Sequence, residues 1–114
     1  MNRIGKIQPS EIRWESPKLK EVFYELERKD STLFKQINSA LDEIEKNAFC
    51  CILLPKKLIP KKWQHYPNIW KYDLPGGWRL FYSVTSPDSP RGILVLAIVL
   101  DWMSHKDYEI LFKY

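Results

Sequence analysis

The chain has 114 residues, with 18 Lys and Arg against 14 Asp and Glu for a formal charge of +4, and it is 45% hydrophobic and 14% aromatic. That length suits one domain over residues 1–114, and the apolar content suffices for a packed core, which excludes a disordered tail or a disulfide scaffold. The longest apolar run, Ile93 to Leu100, has eight residues, too short to cross a bilayer, so no membrane partner is expected.

Met1 to Lys6 lacks the apolar stretch of a signal peptide, so a cytoplasmic location is expected. An early strand is weakly signalled at Ile12 to Trp14. Ser16 to Lys29 reads as a helix: Ser16 can cap it, Pro17 suits the first turn, and Leu19, Val22, Phe23 and Leu26 form one apolar stripe. A second helix is expected from Ser31 to Asn47, capped by its serine, with Leu33, Phe34, Ile37, Leu41 and Ile44 as its stripe. The short link at Lys29-Asp30 makes the pair an antiparallel hairpin. Cys50 and Cys51 are neighbours, a spacing that strains a disulfide, and no further Cys/His pair completes a zinc site. They read as small buried hydrophobes, and neither metal nor cofactor is expected.

The charge excess concentrates downstream. From Leu54 to Tyr82 the net charge is +5, with Lys56, Lys57, Lys61, Lys62, Lys71 and Arg79 against Asp73 alone. Trp63, Tyr66, Trp70, Tyr72, Trp78, Phe81 and Tyr82 are interleaved with them, a mixture suited to phosphate contact and base stacking, or to a solvated basic loop beside an aromatic core. Ile69 to Leu74 and Trp78 to Thr85 flank Pro75-Gly76-Gly77 and read as a β-hairpin. Trp78, Leu80 and Tyr82 fall on one face of it, Arg79, Phe81 and Ser83 on the other. Ile93 to Leu100 is apolar throughout, as in a central strand, and Ser104 with Asp107 opens a short closing helix to Phe112. The expected fold is α+β, with an N-terminal helical hairpin packed on a small antiparallel sheet whose opposite face is uncovered.

Trp70-Lys71-Tyr72-Asp73-Leu74-Pro75-Gly76-Gly77-Trp78-Arg79-Leu80-Phe81-Tyr82, then Asp101-Trp102-Met103-Ser104-His105-Lys106-Asp107-Tyr108 and the terminal Tyr114, resemble the RelE/ParE superfamily of type II toxin-antitoxin toxins. The likeness covers roughly Phe49 to Tyr114. It implies a RelE-like fold and a toxin that cuts messenger RNA on the ribosome without a metal, is neutralised by a cognate antitoxin, and reaches operator DNA through it. Such cleavage needs a base for the 2′-hydroxyl, a cation for the charged phosphate and an acid for the leaving oxygen. Arg79 fits the cation, being planar, forked and permanently charged, although a structural pairing with Asp73 or Asp101 is open to it. His105 can serve as acid or base. Tyr82, Tyr108 and Tyr114 complete the catalytic candidates, and Lys61, Lys62, Lys71, Lys106 and Trp63 the RNA-binding ones; Trp63 can equally anchor the linker from the core. Here Lys106 and Asp107 stand between His105 and Tyr108, where some RNA-cleaving relatives join histidine directly to tyrosine. Other relatives poison gyrase on the same fold, so a non-catalytic gyrase inhibitor or antitoxin-binding module is the alternative reading.

Overall fold

The computed structural model describes residues 9–87 and 94–112. The first element is β1 (Glu11–Trp14), so the helical hairpin follows a strand rather than opening the chain. Helix α1 (Pro17–Lys29) starts on proline, and the Ser16 hydroxyl accepts a hydrogen bond from the Leu19 N–H at 3.1 Å. Helix α2 (Ser31–Lys46) is capped by Asp30 instead of the expected serine, its carboxylate accepting from the Leu33 N–H at 3.2 Å. The Asp30 N–H meanwhile donates to the Leu26 carbonyl at 2.7 Å. One residue therefore ends α1 and starts α2, and the hairpin turn is as tight as the sequence suggests.

After α2 the chain forms β2 (Ile52–Leu53), β3 (Trp70–Asp73), β4 (Arg79–Thr85), β5 (Leu96–Met103) and α3 (His105–Phe112). Between β3 and β4, Gly76 and Gly77 take φ of +75° and +82°, a region closed to most side chains. The five strands lie in the order β1-β5-β4-β3-β2. The sheet is mixed: β1 runs parallel to β5, while the other pairs are antiparallel. The purely antiparallel expectation fails because β1 and β5 come from opposite ends of the chain, with no tight turn to impose opposite directions. Residues 88–93 lie outside the described residues, and β5 extends past the apolar run to include Asp101, Trp102 and Met103.

Two apolar clusters sandwich this sheet. Phe23, Leu33, Ile37, Leu41 and Ile44 of the hairpin pack on Leu80, Tyr82, Val84, Ala97 and Val99. On the other face Phe81, Leu100 and Met103 pack under Leu54, Ile59, Trp63 and Ile69 of the linker and under Tyr108 of α3. The expectation of an uncovered second face is thus corrected. A strand such as β5 that is apolar on both sides needs two covers, and the linker supplies the second. Pro55 and Pro60 each open a short 3₁₀ turn, accepting from the Leu58 and Trp63 N–H groups at 2.9 Å, so the linker is a folded lid whose lysines point outward.

Candidate functional site

The register of the central strands assembles the site. Lys71 of β3 lies opposite Phe81 of β4, which lies opposite Asp101 of β5; one row along, Asp73 lies opposite Arg79, which lies opposite Met103. All six alternate with residues of the hairpin face, so they share the face beneath the linker and α3.

Arg79 sits at the rim of this face, its side chain 17% exposed. One terminal guanidinium nitrogen donates to the Gly77 carbonyl, Nε lies 3.7 Å from Asp73 Oδ1, and the guanidinium carbon is 4.6 Å from the centre of the Tyr108 ring. Lys71, 13% exposed, places Nζ 3.1 Å from the same Asp73 oxygen and 5.6 Å from the same ring. Two cations therefore share one carboxylate oxygen and one aromatic face, leaving a local excess of one positive charge. At 3.7 Å the Asp73 oxygen is an ion-pair partner without being a hydrogen-bond acceptor, and the buried Nε finds no acceptor among the described residues.

His105 opens α3 against the β3–β4 turn. A Cβ placed on Gly77 would lie 3.3 Å from the His105 Cβ, so the glycine permits the turn's backbone angles and the close approach of the helix. His105 Nε2 is 3.3 Å from Glu109 Oε2 one turn along, and both side chains are about half exposed. The Ser104 hydroxyl accepts from the Asp107 N–H at 3.3 Å, the expected cap. Lys106 is exposed on the same helix, and Lys61 and Lys62 are exposed on the linker, Lys62 Nζ lying 5.0 Å from the centre of the Trp63 ring.

Arg79, Lys71, Tyr108 and His105 thus converge on the β3–β4 turn. Tyr82 does not join them. It is fully buried on the hairpin side of the sheet, and its hydroxyl donates to the Ala48 carbonyl at 2.9 Å. Burial, and then contact with Cys51, raise its pKa well above the ordinary phenol range, so it is a weaker acid than a free phenol and serves as a core hydrogen-bonding residue. Trp63 is buried with its ring 5.1 Å from Phe81, so it anchors the lid and offers no face to a base. Tyr114 lies outside the described residues. The cysteines depart from expectation too: Cys50 is exposed, and Cys51 is half-buried with its thiol pushed up to about 12, first by burial and then by its contact with Cys50.

One feature of the site, Glu109, was not singled out from the sequence, whereas Asp73 and Asp101 were both open as partners of Arg79. Asp73 is the partner that forms, since counting outward from Pro75-Gly76-Gly77 sets it against Arg79, and Lys71 shares it. Glu109 lies four residues after His105, the spacing of a helical pair. Asp101 is half-buried beneath the lid, its carboxyl raised by burial and by Glu15 and Asp107, against the Trp102 N–H it accepts at 2.8 Å and the charge of Lys62. It does not pair with Arg79, which faces Asp73 instead. Comparison with family models, with curated proteins and with solved structures finds no match to this chain.

Proposed function

We propose that the protein is a RelE/ParE-superfamily toxin that cleaves messenger RNA on the ribosome, with Arg79 binding the scissile phosphate and His105 transferring a proton. The observation that carries this reading is the convergence of Arg79, Lys71 and His105 at one glycine turn, with Lys106 exposed beside it. A 2′-hydroxyl attack concentrates negative charge on phosphate oxygens, and a guanidinium backed by an aromatic ring and a second cation answers that charge. His105, on the exposed side of the turn, is reachable by solvent and by an RNA backbone. A cognate antitoxin, and operator DNA through it, belong to the same proposal.

One observation favours the non-catalytic alternative, a gyrase-inhibiting or antitoxin-binding module: Arg79 and Lys71 are already engaged by Asp73. The two readings separate on expression in cells with mapping of messenger RNA 5′ ends. The toxin reading expects growth arrest with new cut sites in translated regions. Arg79→Ala should slow cleavage by ~10²-fold or more, the usual loss for one charge-stabilising group. Intact messenger RNA with inhibited supercoiling by purified gyrase would establish the alternative.

A further inference from the structure

The turn from α2 into β2 brings Cys50 and Cys51, neighbours in sequence, to the wall of one cavity. Before the pair, the Asn47 side-chain oxygen accepts from the Phe49 N–H at 3.1 Å and the Asn47 carbonyl accepts from the Cys50 N–H at 3.1 Å. After it, Ile52 pairs with Lys71, so the backbone is pinned on both sides. Because β2 begins at Ile52, Tyr72 and Asp73 continue β3 with no strand on that edge, and the space left is an open cavity of about 370 Å³. Both cysteines line it, together with Ile52, Lys71, Tyr72 and Asp73. Cys50 is exposed, whereas Cys51 is half-buried and packs against the hairpin-side cluster.

Thiols on adjacent residues restrict what can bridge them. A disulfide would close a strained ring through the intervening peptide. Zinc would need four ligands, and among the described residues no group of three His, Cys, Asp or Glu side chains is placed to hold a metal ion. Copper(I) is thiophilic, but a pair of thiolates binds it from opposite sides of the ion, a reach that adjacent side chains lack. Both metals also require thiolates, and burial pushes the Cys51 thiol up to about 12, which keeps it protonated.

A trivalent arsenic centre escapes each of these limits. It is pyramidal and joins two sulfurs at an acute angle, it enlarges the ring by one atom, and its bonds to sulfur are covalent and neutral. It also keeps a third substituent, which needs room, and the cavity supplies that room beside Ile52 and Tyr72.

We propose that Cys50 and Cys51 form a two-thiol binding site for monosubstituted trivalent arsenicals, whose organic substituent sits in the cavity beside Ile52 and Tyr72. With R–As(OH)2, two As–O and two S–H bonds break, two As–S bonds form, and each displaced hydroxyl leaves as water with a thiol proton. Arsenic stays trivalent, so no oxidant or reductant takes part. Cys50, being exposed, reacts first, and Cys51 closes the chelate in an intramolecular step. Neither Arg79 nor His105 enters, so the inference stands whether or not the protein cuts RNA.

The test titrates the reduced full chain with phenylarsine oxide, which hydrates to R–As(OH)2 in water, and reads free thiols and native mass. One equivalent should bind, and both thiols, the only two in the chain, should disappear together. Excess glutathione should leave the adduct intact. Cys50→Ser and Cys51→Ser should each bind about 10²-fold more weakly or worse, the loss expected when a chelate becomes a single bond. Cys50 is exposed, so its serine variant should keep the wild-type melting temperature and serves as the decisive control. Phenylarsine oxide should also bind at least about tenfold more tightly than arsenite, which has no apolar group to bury. The proposal is overturned if Cys50→Ser binds as tightly as wild type, if only one thiol is consumed, if two equivalents bind, if glutathione strips the adduct, or if arsenite binds as tightly as the phenyl compound. Adduct formation is read without RNA, so its failure and failure of the toxin reading remain distinct.

Discussion

Asp101 shows how one side chain can hold back the stability of this fold. Its carboxyl is raised above the ordinary value of 3.8, burial being the first cause, so the folded chain binds that proton more tightly than the unfolded chain does. At neutral pH the ionised group sits half-buried among Glu15, Asp107 and Lys62 and subtracts from stability. Asp101→Asn keeps an oxygen for the Trp102 N–H and removes the charge. The substitution should raise the melting temperature at pH 7, and the gain should fade as pH falls and vanish below about the ordinary carboxylate value, where the wild-type group is protonated in both states. Thermal melts of both proteins across pH 3 to 7 read this directly; a gain independent of pH would mean that burial of the charge is not the cause. Arg79 makes the converse point. Its ring, carbonyl and carboxylate contacts hold the guanidinium at the rim, already positioned for the phosphate contact proposed for it.

At the scale of elements, the β3–β4 turn is where conformation and site meet. Gly76 and Gly77 both take positive φ, but they differ in what lies nearby. The nearest atom to a Cβ on Gly76 is in the Trp78 side chain at 3.8 Å, an ordinary contact, whereas a Cβ on Gly77 would meet the His105 Cβ at 3.3 Å. Gly76→Ala should therefore cost about 1 kcal/mol of backbone strain, while Gly77→Ala should cost about 1–3 kcal/mol and also push the start of α3 away from the turn. Urea unfolding gives the two costs, and amide shifts of His105 to Tyr108 report displacement of the helix. Equal costs with unmoved α3 shifts would show that the approach of His105 does not constrain the turn.

Across the whole molecule, stability rests on covering the sheet twice. The hairpin covers one face, and the linker with α3 covers the other. A chain ending at Ser104 would lose Tyr108 and expose Phe81 and Met103, each worth about 1.5–3 kcal/mol when fully buried, a large share of the 5–15 kcal/mol that holds an ordinary domain. Such a chain should bind a hydrophobic dye and melt at lower temperature with reduced cooperativity. An unchanged, dye-free transition would mean that the linker covers that face unaided.

What the sequence determined by itself is what local chemistry controls. The apolar stripes of α1 and α2, the Ser16 and Ser104 caps, the glycine turn, and the alternation that separates Leu80 and Tyr82 from Arg79 and Phe81 all depend on residues a few positions apart, and each is present. The double-sided apolar run was equally legible and marked β5 as a central strand, yet the second sheet face was expected to be uncovered, because the run does not say which segments cover it. That choice required contacts between residues far apart in the chain, such as Trp63 against Phe81 and Tyr108 beneath Arg79. The same limit explains the site: residue types could nominate Tyr82 and Trp63, but only packing decided that both are core, while Lys71, Arg79 and Tyr108 meet at the rim. Direction in a sheet is likewise a long-range property, which is why β1 could be anticipated as a strand and its parallel pairing with β5 could not.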